Sequence, residues 1–408
     1  MKTHYLILKK PVSTEGSPYE LAGPDGSDSA GLLGVAEFAV HDSNGPENSP
    51  ADSETQYAIP RMPYELIEPV SMSESVSGSE NSEWIFGAIG ATGATGGEGI
   101  TVAVIDTGID ATHEAFHGVT LQLCDFTHDR NGVEGKAPDQ HGHGTHCAGT
   151  LFGRDVQGVR IGVARGIKKA LIGKVLNGGP YSGTTEAIYS AIEWALKEGA
   201  DIISMSLAIE YPKMVARLQS VEHLPEAAAV STALDGYRRN LRLFDALARL
   251  LEARDADGKG VVVIAAAGNH SRRERTVEIP IPYTVIAAPP ATADGFLSIA
   301  AIQRIEVETD KYEYGVPYFS NTGARLAAPG WDVWSAQRGV GLASMSGTSM
   351  ATPIVAGVAA LWGQSLLNQN GGKPRNWARS VVSKLEGHAK VLPGLSRDDV
   401  GEGLVQAP

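Results

Sequence analysis

The chain is poor in cysteine, in aromatic residues, in positive charge and in long apolar runs, and each shortage excludes a class of protein. Two cysteines in 408 residues, Cys124 and Cys147, cannot staple a disulfide scaffold, so stability must come from a buried core and the thiols are expected to stay reduced. Basic residues number 34 against 47 acidic ones, for a net charge of −13. No basic stripe exists for nucleic acid or an anionic membrane to bind, so neither is an expected partner. The strongest apolar runs, Val261–Ala267 and Ile354–Trp362, fall short of the roughly 18 residues that span a bilayer. At the N-terminus, Lys9, Lys10 and Pro11 end the only apolar stretch and no small-residue cleavage site follows. No signal peptide is expected, and the expected location is cytoplasmic.

What the chain does have is glycine, 48 residues of it, well above the ordinary share of about 7%. That abundance predicts tight turns and close backbone approaches. Hydrophobic residues reach 42% despite only 6% aromatics, enough for a large core. The acidity is uneven: residues 1–83 hold fourteen acidic side chains against Lys2, Lys9, Lys10 and Arg61, leaving the remainder near neutral. Ser, Glu, Asp, Pro and Gly dominate Ser13–Ser53 and Ser71–Ser82, too polar to bury a core. We therefore divide the chain into an acidic, partly disordered leader (1–82) and a folded unit (83–408). Within the leader, His4–Lys9 reads as a strand and Ala58–Val70 as structured.

Past Trp84 the pattern changes. Ile100–Ile105, Ala170–Val175, Asp201–Met205 and Gly260–Ala267 are short, β-branched or small apolar runs, as in strands buried on both faces. Helical patterns lie between or beside them at His143–Phe152, Thr185–Lys197 and Arg238–Arg254, with Ile209–Asp235 read as an insertion. Strand and helix in alternation predict an α/β fold: a mostly parallel central sheet with helices on both faces.

In such sheets the chemistry gathers beyond the C-terminal strand ends. Asp106 stands there, after ITVAVI and before Thr107-Gly108. The segment HGHGTHCAGT follows at 141–150. Its histidines, His141, His143 and His146, suggest a metal, but no glutamate completes an HExxH pattern and the small residues suit close helix packing. In SMSGTSMATPIVAGVAALW, Ser349 leads an apolar helix, with Pro353 expected in its first turn. A hydroxyl at that position lies near free backbone N–H groups and the positive end of a helix dipole, where an oxyanion would form. Asn269 ends VVVIAAAGN, where its amide can donate to such an oxyanion. Asn269-His270-Ser271 also matches a glycosylation pattern, rejected because no secretory signal precedes it.

These segments resemble the motifs of the subtilase family: VAVIDTGID its aspartate motif, HGTHCAG its histidine motif, AAAGN its oxyanion motif and SGTSMATP its serine motif, in the family's order. The resemblance covers about residues 84–408 and implies a subtilisin-like three-layer sandwich and a serine endopeptidase. It assigns Ser349 as nucleophile, His143 as base, Asp106 as orienter and Asn269 as oxyanion donor. A peptide or protein substrate would lie extended between Ser206-Leu207-Ala208 and Tyr181-Ser182-Gly183. Arg61-Met62-Pro63-Tyr64 resembles the Ile-Pro-Tyr element of intracellular subtilisins, which implies that the leader is an inhibitory partner and the chain a zymogen. A peptide transferase or macrocyclase, and a non-cutting peptide-binding fold, are the alternative readings.

Several positions depart from the family. Ala208 replaces a usual glycine and should narrow the pocket for the residue before the cut. Cys147 follows the histidine motif, as in proteinase-K-like members. The family's calcium ligands correspond to Ala115 and Val156, so no metal or cofactor is expected to be required, although Asp110 and Asp155 could serve another calcium site. Arg272, Arg273 and Arg275, in the insertion Ser271–Thr284, could favour acidic substrates.

Overall fold

A computed structural model describes residues 2–9, 36–42, 55–73, 79–93, 96–128, 131–178, 182–309 and 311–408. Part of the leader read as disordered falls outside these residues, but within it Ala36–Asp42 and Ser71–Ser73 are strands and Ser79–Ala88 is a helix that crosses the expected 82/83 boundary. Apolar runs containing many β-branched residues form adjacent strands because they pack equally well on both faces. Ile202–Met205 lies at the middle, parallel to Thr101–Asp106 on one side and Val262–Ala266 on the other. Across the sheet the order is Lys311–Gly315, Leu297–Glu308, Val262–Ala266, Ile202–Met205, Thr101–Asp106, Lys169–Lys174, Thr120–Asp125 and Val133–Glu134. Leu326–Pro329 also pairs with Leu297–Glu308. The inner pairings are parallel, while Lys311–Gly315 and Val133–Glu134 join antiparallel, so the sheet is mixed.

Helices cover both faces. Thr185–Lys197 packs on Thr101–Asp106 and Lys169–Lys174, and His143–Phe152 on Thr101–Asp106. Thr348–Asn370 crosses under four strands and touches His143–Phe152 and Trp377–Gly387. At 23 residues it is long and apolar enough to span a bilayer, but 83% of its apolar window is buried in the protein. It is the core's central rod. Gly357 and Gly363 let Val163 and Trp377 approach it.

Two helix boundaries differ from expectation. The predicted Arg238–Arg254 helix is one continuous element, Glu226–Asp255, preceded by Tyr211–Ser220. The insertion is therefore helical, and its Ala-rich stretch simply extends the covering helix upstream. Pro353 is the sixth residue of Thr348–Asn370, inside the helix and past its first turn.

Leader strands Ala36–Asp42, Lys2–Lys9 and Thr55–Pro60 form an antiparallel sheet in that order. Ala36–Asp42 carries no strong alternation and escaped the sequence reading. Beyond it, Pro63–Leu66 leaves the leader sheet and joins the folded unit: it is the middle strand of a separate three-stranded sheet. Ser71–Ser73 pairs with Leu342–Ser346.

Candidate active site

Asp106 ends its strand fully buried, and the amide of Thr107 donates to its Oδ1 at 2.7 Å. His143 begins the His143–Phe152 helix after Gly142, whose φ of +103° is open to glycine at little cost. Asp139 sets this helix start. Its carboxylate accepts from the amides of His141, Gly142 and Thr145 and from the hydroxyls of Thr107 and Thr145. Those donors hold the Asp139 carboxyl below its usual range against a burial that would raise it. The helix then lies against the Asp106 loop so closely that a Cβ on Gly144 would sit 2.2 Å from the Gly108 carbonyl oxygen. His143 Nδ1–H consequently donates to Asp106 Oδ1 at 2.8 Å.

Ser349 is the second residue of its helix and completely buried. Proline at 353 has no N–H, so the Ser349 carbonyl loses its helical partner. Cys147 Sγ–H (3.4 Å) and the Ser206 hydroxyl (3.3 Å) supply hydrogen bonds to it instead. Cys147 thus tethers the Ser349 backbone while lying 3.7 Å from His143 Nδ1. Burial pushes the Cys147 thiol up, which keeps it protonated.

Asn269 is oriented by two donors, the Thr348 amide and hydroxyl, each 2.9 Å from its Oδ1. Its Nδ2 is thereby aimed into the cleft. Asn321 braces the loop beyond, accepting from the amides of His270 and Ser271 and donating to the Ala267 carbonyl. Two of the three insertion arginines turn inward: Arg272 donates to the carbonyls of Asn269 and Ser271, and Arg273 to Ser320 O and Asp399. Both support the loop while staying half-buried, and Arg275 is exposed.

The cleft is filled by the leader. Pro63–Leu66 runs antiparallel to Leu207–Ile209 on one side, with Ala208 opposite Glu65, and to Gly183–Thr184 on the other, with Gly183 opposite Tyr64. The Ile67 amide donates to the Ser206 carbonyl at 3.3 Å. Ser206, Leu207, Ala208 and Gly183, together with Thr184, thus flank the leader segment in the cleft. Ser182 adjoins it and Tyr181 lies outside the described residues. Ile67 packs against Ala208 and Ala266.

The Ser349 hydroxyl donates to the Ile67 carbonyl (3.0 Å), and Asn269 Nδ2 donates to the next carbonyl, Glu68 O (2.9 Å). His143 Nε2 is buried without a hydrogen-bond partner. The hydrogen-bonded line is therefore made from Asp106 to His143 and interrupted before Ser349. Burial alone would lower the His143 imidazole, but the Asp106 carboxylate holds it well above the ordinary value of 6.5. His146 stays neutral, driven by burial to about 3, and its Nε2 straps the helix to the carbonyls of Val333 and Ala343. His141 faces Glu68 at 3.5 Å.

The three histidines therefore take three separate jobs. Among the described residues, the one metal-compatible cluster is Asp106, His143 and Cys147. Its members are hydrogen-bonded to one another and to the Ser349 carbonyl. Ala115 and Val156 are buried apolar residues, Asp155 pairs with Arg165, and Asp110 accepts from Thr112 and the Gly339 amide.

A buried carboxylate–imidazole pair beside a helix-start serine and an inward-aimed amide, at the C-terminal edge of a mixed α/β sheet, is the arrangement of a serine hydrolase. The Subtilase family matches residues 97–393, and the chain belongs to that family. It is 32% identical over 266 residues to the Major intracellular serine protease of Bacillus subtilis (strain 168), covering 65% of this chain and 68% of the relative. Subtilisin DY of Bacillus licheniformis is 33% identical over 294 residues, 71% of this chain and 85% of that protein. Among solved structures, fervidolysin from Fervidobacterium pennivorans superposes with a TM-score of 0.64 at 20% identity, covering 100% of this chain and 60% of its own, which shows the shared fold. The chain is thus a subtilase-type serine hydrolase.

Proposed function

We propose that this hydrolase is an endopeptidase working through Ser349, His143 and Asp106, and that its leader holds it as a zymogen. The carrying observation is that an extended segment of the chain lies in the groove and presents successive carbonyls to the Ser349 hydroxyl and the Asn269 amide. A groove that pairs main chain on both sides takes many sequences, as an endopeptidase requires.

In the open cleft the Ser349 hydroxyl turns to His143 Nε2. Its oxygen attacks the scissile carbonyl carbon as the proton passes to Nε2. Asp106 holds the Nδ1–H tautomer and offsets the imidazolium charge. Asn269 Nδ2 and the Ser349 amide receive the oxyanion. The imidazolium then protonates the leaving amine, and water, deprotonated by His143, cleaves the acyl-enzyme.

The leader escapes this fate through how its carbonyls are engaged. The Ser349 hydroxyl is spent on the Ile67 carbonyl oxygen instead of on His143, and the Glu68 carbonyl occupies the Asn269 amide. Beyond it the Val70 amide donates to the Ser346 carbonyl at 2.8 Å. The name of the Bacillus subtilis relative includes the word intracellular, which supports a cytoplasmic role in which such a block guards against stray cleavage. The 1–82 and 83–408 division then separates inhibitor from catalyst. The test is to incubate the chain and its Ser349→Ala variant with a peptide library and to sequence both products and protein N-termini. Cleavage by the parent alone is expected; equal cleavage by Ser349→Ala would refute the reading.

A further inference from the structure

The leader lies in the cleft as a peptide substrate would, so the side chains it sets against the walls reveal what those walls select. In an extended strand, alternate side chains face opposite ways. Glu65 and Ile67 share one face: Ile67 enters the Ala208–Ala266 pocket, and Glu65 turns toward the inserted Tyr211–Ser220 helix, where the Lys213 ammonium binds its Oε2. The Glu65 side chain keeps only 8% of its exposure, whereas Lys213 keeps 49%. A carboxylate held that far from water needs a counter-charge. Another acid lies close by, Glu210, but it is engaged by His270 Nε2 at 3.0 Å.

We propose that Lys213 is a specificity-determining residue that selects substrates with an acidic side chain two positions before the residue whose carbonyl is attacked. This rests on the endopeptidase reading and on the Ile67 carbonyl marking the attacked residue. An ammonium half open to solvent gives a modest preference, about 3–10-fold in kcat/KM for glutamate over glutamine. Lysine at the same position meets like charge and falls further.

The test uses the full chain and three fluorogenic peptides, Tyr-Glu-Leu-Ile, Tyr-Gln-Leu-Ile and Tyr-Lys-Leu-Ile amides of one leaving group, hydrolysed pairwise in the same tube. Leader occupancy scales both rates in a tube equally, so their ratio reports the cleft alone. A Tyr64→Ala variant, whose leader grip is weakened, repeats the series in case the parent is too slow to read. Glutamate should lead, lysine should trail, and Lys213→Glu should invert that order. Equal rates in the parent, or a preference that survives Lys213→Glu, would overturn the proposal while leaving the endopeptidase standing. No cleavage by a folded Tyr64→Ala chain whose leader is shown by limited proteolysis to have left the cleft would overturn both.

Discussion

Replacing Tyr64 by alanine should unlock the enzyme without touching a catalytic group. Tyr64 is fully buried, sits edge-on to Phe244, and its hydroxyl donates to Asn240 Oδ1 at 3.2 Å. Burial and the Glu186 carboxylate push its hydroxyl well above the usual 10, so it is a neutral donor at any working pH. Truncating a buried aromatic costs about 3–5 kcal/mol. The lost contacts exist only while the leader is seated, so most of that cost falls on the closed form. At 1.4 kcal/mol per tenfold, the open fraction should rise about 10²–10³-fold. The assay is the initial hydrolysis rate of a fluorogenic peptide by freshly purified chain, with the intact N-terminus confirmed by mass spectrometry at the start. A rise of at least 100-fold over the parent is expected, provided the parent is still closed. A parent rate matched by Tyr64→Ala, with both leaders intact, would refute the claim that this segment is the block.

Activity should rise with pH as His143 loses its proton, with a midpoint above 6.5 because Asp106 holds the imidazolium. The same raised value means the His143–Asp106 attraction stabilises the fold fully below the ordinary imidazole range and fades as pH climbs through the raised one. Asp106→Asn leaves burial unopposed; the midpoint of kcat/KM should move downward and the rate should fall about 10⁴-fold. A pH profile that keeps its midpoint would separate Asp106 from the mechanism. Gly144→Ala should destabilise the chain by about 1–3 kcal/mol, because its methyl meets the backbone oxygen of Gly108 and neither side can yield cheaply. Thermal unfolding measures this, and an unchanged Tm would contradict the close packing of the two loops.

Much of this was legible because the chemistry sits on short contiguous segments. Asp106, His143, Asn269 and Ser349 each lie at a strand end or helix start, and the apolar strands around them announce themselves by composition. The leader segment Ala58–Val70 was also visible as a structured island in polar surroundings. What stayed hidden depends on contacts across great sequence separations. Asp139 looks like any loop aspartate until five donors from Thr107 to Thr145 converge on it. Cys147 is an inert buried thiol by composition, and only the proline at 353 gives it the Ser349 carbonyl to hold. Arg272 and Arg273 read as free charge because nothing local shows that backbone carbonyls and Asp399 already claim them. Lys213 and Asn240 matter through a leader strand about 150 and 180 residues away in sequence, respectively. No periodicity signals such pairings.

The most direct test of the account is covalent labelling with a fluorophosphonate, which reacts only with a serine activated by its neighbours. On Tyr64→Ala chain at neutral to mildly alkaline pH, one adduct is predicted, mapping to Ser349, and it should vanish in a His143→Ala partner variant. An adduct on another residue, or labelling of Ser349 that does not depend on His143, would contradict the assignment of the reacting groups.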